Sequence, residues 1–134
     1  MEDISEVILS IQSKIIELSR FQDLRDLPSI SRISGSILEE VDSIPNSDQY
    51  SKIVKAKLAY FKGRALAATE IYEKAAEEHL SKSVKLDPRN GDAWSWLGEV
   101  FYFKKDYAQS KRCFEASLEH SGPKKETLRK LSIV

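Results

Sequence analysis

The residues of this chain with the most chemical potential are two histidines, one cysteine and several pairs of carboxylates. His79 and Cys113 are 34 residues apart, and His120 follows His79 by 41 residues. A cysteine and a histidine held together can act as a nucleophile and its base, or as two ligands of a metal ion. The sequence supplies no third partner for either role, and adjacent carboxylates such as Glu39 and Glu40 diverge by about 100° on a helix. We therefore predict no catalytic site, no metal site, no cofactor and no enzymatic activity.

The composition predicts one soluble domain. The 134 residues include 21 basic and 21 acidic side chains, and 41% are hydrophobic. Because the charges balance, we expect the chain to bind neither a membrane nor DNA directly. The chain begins unlike a signal peptide, and it has no apolar run near the roughly 20 residues of a membrane span. Its single cysteine fits a reducing compartment, so we expect a cytoplasmic or nuclear location, or both.

Apolar residues recur at spacings of three and four along most of the chain, which indicates an all-α protein. One such stripe consists of Ile4, Ile8, Ile11, Ile15 and Leu18. It predicts a first helix that runs to about Arg25. A second helix is predicted from Pro28 to Pro45. A third follows a polar turn, with Ser47 or Asp48 as its N-cap.

The isoleucine stripe of the first helix has two interpretations. We predict that it packs on the helices that follow it. Alternatively, it drives the self-association of a scaffold domain, in which case lysine at Ile8 and Ile15 would abolish the oligomers and leave the rest folded.

From Ala76 onward the chain is internally similar with a period of 34 residues. Small, large, small and helix-breaking residues recur in register, namely Ala76, Leu80, Ser83 and Pro88 against Ser110, Phe114, Ser117 and Gly122. This is the period of the tetratricopeptide helix-turn-helix repeat. His79 and Cys113 have the same spacing, so we interpret them as packing residues on neighbouring repeats.

The second repeat resembles the family pattern closely. Its first helix resembles W-x2-L-G-x2-Y at Trp94, Leu97, Gly98 and Phe101, and its second resembles A-x3-F-x2-A at Ser110, Phe114 and Ser117. Pro88 ends the preceding unit. The two serines add hydroxyls that we expect to bond back to the helix backbone. In the earlier, more degenerate repeat, 13 residues rather than 12 separate Gly63 from Ala76, which predicts a one-residue insertion.

Gly98 is predicted to lie where the two helices of its hairpin come closest. Glycine inside a helix costs about 1 kcal/mol relative to alanine. We expect burial of Trp94 beside it to offset that cost. Trp96 must face another way, towards the neighbouring repeat or the edge of the groove.

Residues 82–121, KSVKLDPRNGDAWSWLGEVFYFKKDYAQSKRCFEASLEHS, resemble one family within this repeat class, tetratricopeptide repeat protein five or Strap. The runs 82–88 and 93–106, the long spacing from Gly63 to Ala76 and the final LSIV are similar to that family. The resemblance implies two roles for the full-length protein. One is the assembly of p300-type transcription cofactors in the stress response. The other is recognition of nascent tubulin on the ribosome, which triggers decay of tubulin messenger RNA.

We thus predict an all-α, right-handed superhelix of about seven helices. Its parts are N-terminal helices that pack on the first repeat (1–50), a degenerate repeat (51–90), a second repeat (91–123) and the start of a third (124–134). Family members are longer, with further repeats and a C-terminal barrel. We therefore expect this chain to be an N-terminal fragment, whose uncapped C-terminal edge self-associates.

The concave wall of such a superhelix is lined by its first helices. The predicted groove residues are Lys57, Tyr60, Arg64, Asp92, Ser95, Glu99 and Tyr102. Both charge signs and two tyrosines suit a peptide of mixed charge, and we expect Ser95 and Glu99 to meet it. The predicted function is a non-enzymatic protein-interaction adaptor. The alternative within the repeat class is an unrelated adaptor, such as a chaperone or transport-complex subunit.

Overall fold

The structure is a computed structural model that describes residues 4–44, 50–69 and 73–121. Within these ranges the chain is all-α, with six helices and no strand, which confirms the predicted fold class. The helices are α1 Ile4–Leu24, α2 Leu27–Asp42, α3 Lys52–Ala68, α4 Glu73–Leu86, α5 Gly91–Phe103 and α6 Tyr107–Ser121. None of these six is both long and apolar enough to cross a membrane. The predicted third repeat at 124–134 lies outside the described residues.

Side-chain caps set where the helices begin. The carboxylate of Asp26 accepts hydrogen bonds from the backbone N–H and the hydroxyl of Ser29, so α2 begins at the next residue, Leu27. At α3 the cap is Ser51, whose hydroxyl accepts from the Val54 amide at 3.3 Å. The predicted cap at position 47 or 48 is therefore wrong. Ser51 has the extended backbone of an N-cap residue, with φ −64° and ψ 162°, and the helical ladder starts only after it.

The six helices form three hairpins, α1–α2, α3–α4 and α5–α6, stacked in chain order. Each hairpin packs on the next, and α3 contacts both α1 and α5, so the three first helices form one row. The isoleucine stripe packs inside the first core cluster, where Ile11 and Leu18 are fully buried. This confirms that the stripe packs on the following helices. The scaffold alternative is wrong for these residues, because Ile8 is buried and Ile15 packs half-buried against the same cluster.

In each of the two repeat hairpins, the two helices approach each other closely at a glycine. A Cβ atom on Gly98 would lie 2.7 Å from the ring of Phe114, which is 1% exposed. A Cβ atom on Gly63 would lie 2.6 Å from Cγ of Leu80. The predicted close approach at Gly98 is confirmed, and the earlier repeat has the same contact.

The aromatic side chain that meets Gly98 is Phe114, which corrects the expectation for Trp94. Trp94 is only partly buried, and its indole N–H donates a 2.8 Å hydrogen bond to the carbonyl oxygen of Pro88. The indole is thus drawn towards the turn before α5. The contact of the buried Phe114 ring with Gly98, together with the partial burial of Trp94 against the core, offsets the cost of the glycine.

Three buried serines join the helices of the two repeat hairpins, two in α5–α6 and one in α3–α4, and this corrects a second expectation. The hydroxyls of Ser110 and Ser117 do not bond back to their own helix. They donate 2.8 Å hydrogen bonds to the carbonyl oxygens of Gly98 and Gly91 on α5. Ser83 donates in the same way to a carbonyl oxygen of α3. Small residues let the two backbones approach within reach of one hydroxyl, so these buried donors are satisfied.

We expect Gly98→Leu to lower the free energy of unfolding by at least about 2 kcal/mol. The added side chain must displace the buried ring of Phe114, and the gain in helix propensity is only about 1 kcal/mol. Urea unfolding followed by circular dichroism would measure the change.

Gly35→Ala is the matched control. Gly35 is a helical glycine on α2, and an added Cβ atom meets nothing within 4 Å. This variant should gain about 0.5–1 kcal/mol of stability. Similar stabilities for Gly98→Leu and the parent chain would refute the close-approach interpretation.

Candidate functional site

Cys113 and His79 lie on the second helices of neighbouring repeat hairpins, α6 and α4. Cys113 is buried, and desolvation with the nearby charge of Asp106 raises its pKa to about 12, so at neutral pH it is a thiol. His79 is half-buried on α4, where burial and the charges of Lys62 and Lys82 lower its pKa. Within 4–44, 50–69 and 73–121, no cluster of three or more histidine, cysteine or carboxylate side chains is placed to hold a metal ion.

The candidate site is the row of first helices α1, α3 and α5, where the predicted groove residues lie. Asp92 is exposed on α5, and four others are half-buried, namely Lys57, Tyr60, Glu99 and Tyr102. Arg64 and Ser95 differ from the prediction, since they are only 1% and 8% exposed. Arg64 lies between the neighbouring first helices, and Ser95 is buried, so neither side chain lines an open wall.

Arg64 is the centre of this site, because it connects all three first helices. From α3, its Nη2 atom donates to the hydroxyl of Ser19 at 3.0 Å and to Oε1 of Gln22, both on α1. On the other side, its guanidinium carbon lies 3.7 Å from the ring centroid of Trp96 on α5. This is the range of a cation–π contact. The prediction that Trp96 faces the neighbouring repeat is confirmed.

The electrostatics of the site follow from the burial of this cation. Desolvation lowers the pKa of Arg64, and the nearby charges of Tyr60, Glu99 and Asp92 act in the opposite direction. Burial likewise raises the pKa of Tyr60 to about 12, although the charge of Arg64 partly offsets that shift. Four of the seven predicted groove residues therefore form one electrostatic cluster.

Tyr102 belongs to a different cluster at the end of α5. Its ring contacts the ring of Tyr107 edge to face, with centroids 5.4 Å apart, and the ring of Phe103 at 6.3 Å. Both of those neighbours are about half exposed. Tyr102 thus extends the row with an aromatic surface beyond the Arg64 cluster.

Sequence reasoning missed Ser19 and Gln22 as parts of this site. The isoleucine pattern of α1 identifies the face that packs, and it carries no information on which polar residue beside that face meets α3. The only signal in the sequence was an arginine at a predicted groove position, and its burial became evident only from the packing of α1 and α5 around it.

We expect Arg64→Ala to lower the free energy of unfolding by about 2–4 kcal/mol, since it leaves a cavity and removes the contacts to α1 and Trp96. Amide hydrogen exchange should show faster opening of the C-terminal half of α1 than of α6. The matched control is Lys62→Ala, which removes a basic residue of the same helix whose ion pair with Asp42 is exposed, and it should cost less than about 1 kcal/mol. Equal losses for the two variants would contradict the bridging role.

We expect Tyr60 to make the protein less stable at high pH. Its folded-state pKa of about 12 lies above the unfolded value of 10.0, so the unfolded chain loses this proton first. Stability should fall as the pH rises from 10 to 12, by on the order of 2 kcal/mol. The variants should be compared in a Cys113→Ala background, because the raised pKa of the Cys113 thiol lowers stability over the same range. In that background Tyr60→Phe should flatten the decline in urea melts, with Tyr107→Phe, at a half-exposed ring, as the matched control. A decline that persists in Tyr60→Phe would show that another group causes it.

Comparison with known proteins gives relatives with one shared name. No protein-family profile matches the chain. It is 32% identical to tetratricopeptide repeat protein 5 of Bos taurus over 142 residues and 31% identical to that of Homo sapiens over 144 residues, covering 99% of this chain in both alignments. Tetratricopeptide repeat protein 5 of Mus musculus is 39% identical over 97 residues, 72% of this chain.

The chain spans about a third of the length of the bovine and human relatives and 21% of the mouse protein. The alignments with the first two cover nearly every residue of this chain, including the N-terminal hairpin that lacks the repeat signature. Together with the stacked helical hairpins closed on Gly63 and Gly98, they agree with the sequence resemblance. The chain is similar over nearly its whole length to part of tetratricopeptide repeat protein 5, and its stacked helical hairpins are those of a tetratricopeptide-type repeat fold.

Proposed function

We propose that this chain is a non-enzymatic adaptor that binds a peptide segment of another protein along the row of α1, α3 and α5. The observation that carries the proposal is the set of polar and aromatic side chains that stays accessible on this row. They are Lys57 on α3, and Asp92, Glu99 and Tyr102 on α5. Their helices are held side by side by the buried Arg64 bridge, so the surface is rigid before a ligand arrives, which lowers the entropic cost of binding.

The burial of Arg64 changes the expected chemistry of the peptide. With this cation inside, the accessible charged groups on α5 are the carboxylates Asp92 and Glu99, and Lys57 lies two helical turns before Arg64 on α3. A peptide with a basic residue against α5 and an acidic residue towards Lys57 complements this arrangement. A ligand held only by its terminal carboxylate would be repelled by Glu99, which argues against a chaperone-type clamp.

The resemblance to tetratricopeptide repeat protein five supports two more specific proposals for the full-length protein. The first is binding of the N-terminal segment of nascent tubulin at the ribosome, in the autoregulation of tubulin messenger RNA. The second is assembly of p300-type transcription cofactors under stress. These roles correspond to the cytoplasm and the nucleus, respectively, and we propose both locations. Self-association through 124–134 stays a prediction, since those residues lie outside the described part of the chain.

The adaptor proposal is tested by fluorescence anisotropy with a labelled N-terminal tubulin peptide and its scrambled counterpart. We expect Glu99→Lys to weaken binding of the native peptide about five- to tenfold, because it reverses the charge that faces the basic residue of the peptide.

The control is Glu115→Lys, which makes the same charge change at an exposed site on α6 and should leave the affinity unchanged. Equal weakening by both variants would indicate a non-specific charge effect. Absence of binding to the native peptide, with a scrambled peptide equally inert, would overturn the tubulin proposal for this part of the protein.

A further inference from the structure

Helix α1 has a second apolar surface, opposite the isoleucine stripe that packs in the core. Leu9 and Ile16 lie on it and are 62% and 71% exposed. Leu24 and Leu27, on either side of the turn into α2, are 68% and 72% exposed. Four of the seven exposed large hydrophobic side chains of the described residues therefore lie on or beside this helix. Such a concentration is typical of an interaction surface, whereas single exposed apolar residues are not.

Five residues define this outward face of α1, namely Glu6, Leu9, Ser13, Ile16 and Arg20. All five are exposed. At about 100° per residue they fall within an arc of about 80°, and at about 1.5 Å per residue they span roughly 21 Å along the helix. The two apolar residues are seven positions apart, which places them on one line along the helix surface, as in helices that pair.

We propose that the outward face of α1 forms a two-fold symmetric dimer contact, in which α1 packs antiparallel on α1 of a second copy of this chain. The order of residues along the face supports this geometry. Read in either direction, it runs from a charged residue through an apolar one to Ser13, then through an apolar one to a charged residue of the opposite sign. An isologous contact needs this kind of self-complementary surface.

The antiparallel register follows from residue numbers. When Ser13 lies at the two-fold axis, Leu9 of one copy meets Ile16 of the other, within one residue of register. The same register brings Glu6 of each copy to Arg20 of the other, so two opposite charges meet at each end of the contact. The small side chain at the axis lets the two helices approach closely. A parallel arrangement would instead place Glu6 on Glu6 and Arg20 on Arg20.

The size of the face indicates a weak and rapidly exchanging dimer. The contact holds four leucine and isoleucine side chains, two from each copy, and they bury less than the roughly 1,200 Å² of stable complexes. This contact is separate from the peptide-binding row, because it uses the side of α1 opposite its contacts with α2 and α3. Binding of a peptide and pairing of two chains can therefore be measured independently.

The test is the mass of the 134-residue chain over a wide concentration range, measured by sedimentation equilibrium. We expect a monomer–dimer equilibrium that Ile16→Lys weakens at least tenfold, since it places two cations in the apolar centre. The matched control is Ile53→Lys, an exposed isoleucine at the start of α3 that should leave the equilibrium unchanged. A monomer at every concentration, or equal weakening by the control, would overturn the proposal.

Charge reversal tests the register. Glu6→Arg should weaken the dimer about fivefold, and the double variant Glu6→Arg with Arg20→Glu should restore the affinity to within about twofold. Loss without restoration would refute the antiparallel arrangement.

A third measurement tests directly whether the two-fold axis of the dimer lies at Ser13. In a Cys113→Ala background, Ser13→Cys should form a disulfide-linked dimer under mild oxidation, whereas Ser31→Cys, at an exposed site on α2, should not. Equal cross-linking of the two cysteines would indicate random collision or a different partner surface, and the proposal would then be wrong.

Discussion

The close approach of the two helices within each repeat hairpin is the constraint on which the rest of the structure depends. Gly98 and Gly63 leave room for Phe114 and Leu80 to lie against the opposite backbone, at distances that no Cβ atom would permit. Because the backbones are this close, buried serine hydroxyls reach carbonyl oxygens across the hairpin. The orientation of α5 follows from these contacts, and it directs Trp96 towards α3.

A second interaction ties the stacked hairpins into one row. A guanidinium that is nearly fully buried is costly to desolvate. Arg64 offsets part of that cost with hydrogen bonds from Nη2 to α1, a ring contact with Trp96 and the nearby carboxylates of Asp92 and Glu99, while its buried Nη1 has no hydrogen-bond partner among the described residues. The consequence for binding is direct. A basic residue predicted on the groove wall becomes an internal support, and the carboxylates around it define what the accessible surface attracts.

Particular residues show how far sequence reasoning reached. The isoleucine stripe, the close approach at Gly98 and the direction of Trp96 were predictable, since each follows from position along one helix or from the repeat period. The third helix cap was misplaced, because several serine and aspartate residues of one polar turn can cap a helix and only packing selects among them. For Trp94, the buried serines and Arg64, the error had one cause. The sequence pattern identified which face of a helix packs. It did not identify the residue of the other helix that each side chain contacts, because that depends on distances between helices.

The amino-acid sequence by itself determined the helices, the faces they bury and the 34-residue repeat. This repeat places Leu80 and Phe114, and likewise His79 and Cys113, at equivalent positions of successive units. These properties are local, because a helix has a fixed number of residues per turn and hydrophobicity is a property of each side chain. Only the tertiary structure decided that Arg64 lies between Ser19 and Trp96, and that no other helix of the described residues covers Leu9 and Ile16. Those outcomes depend on which atoms of different helices meet within a few ångströms, and that distance is set by the packing of the whole row.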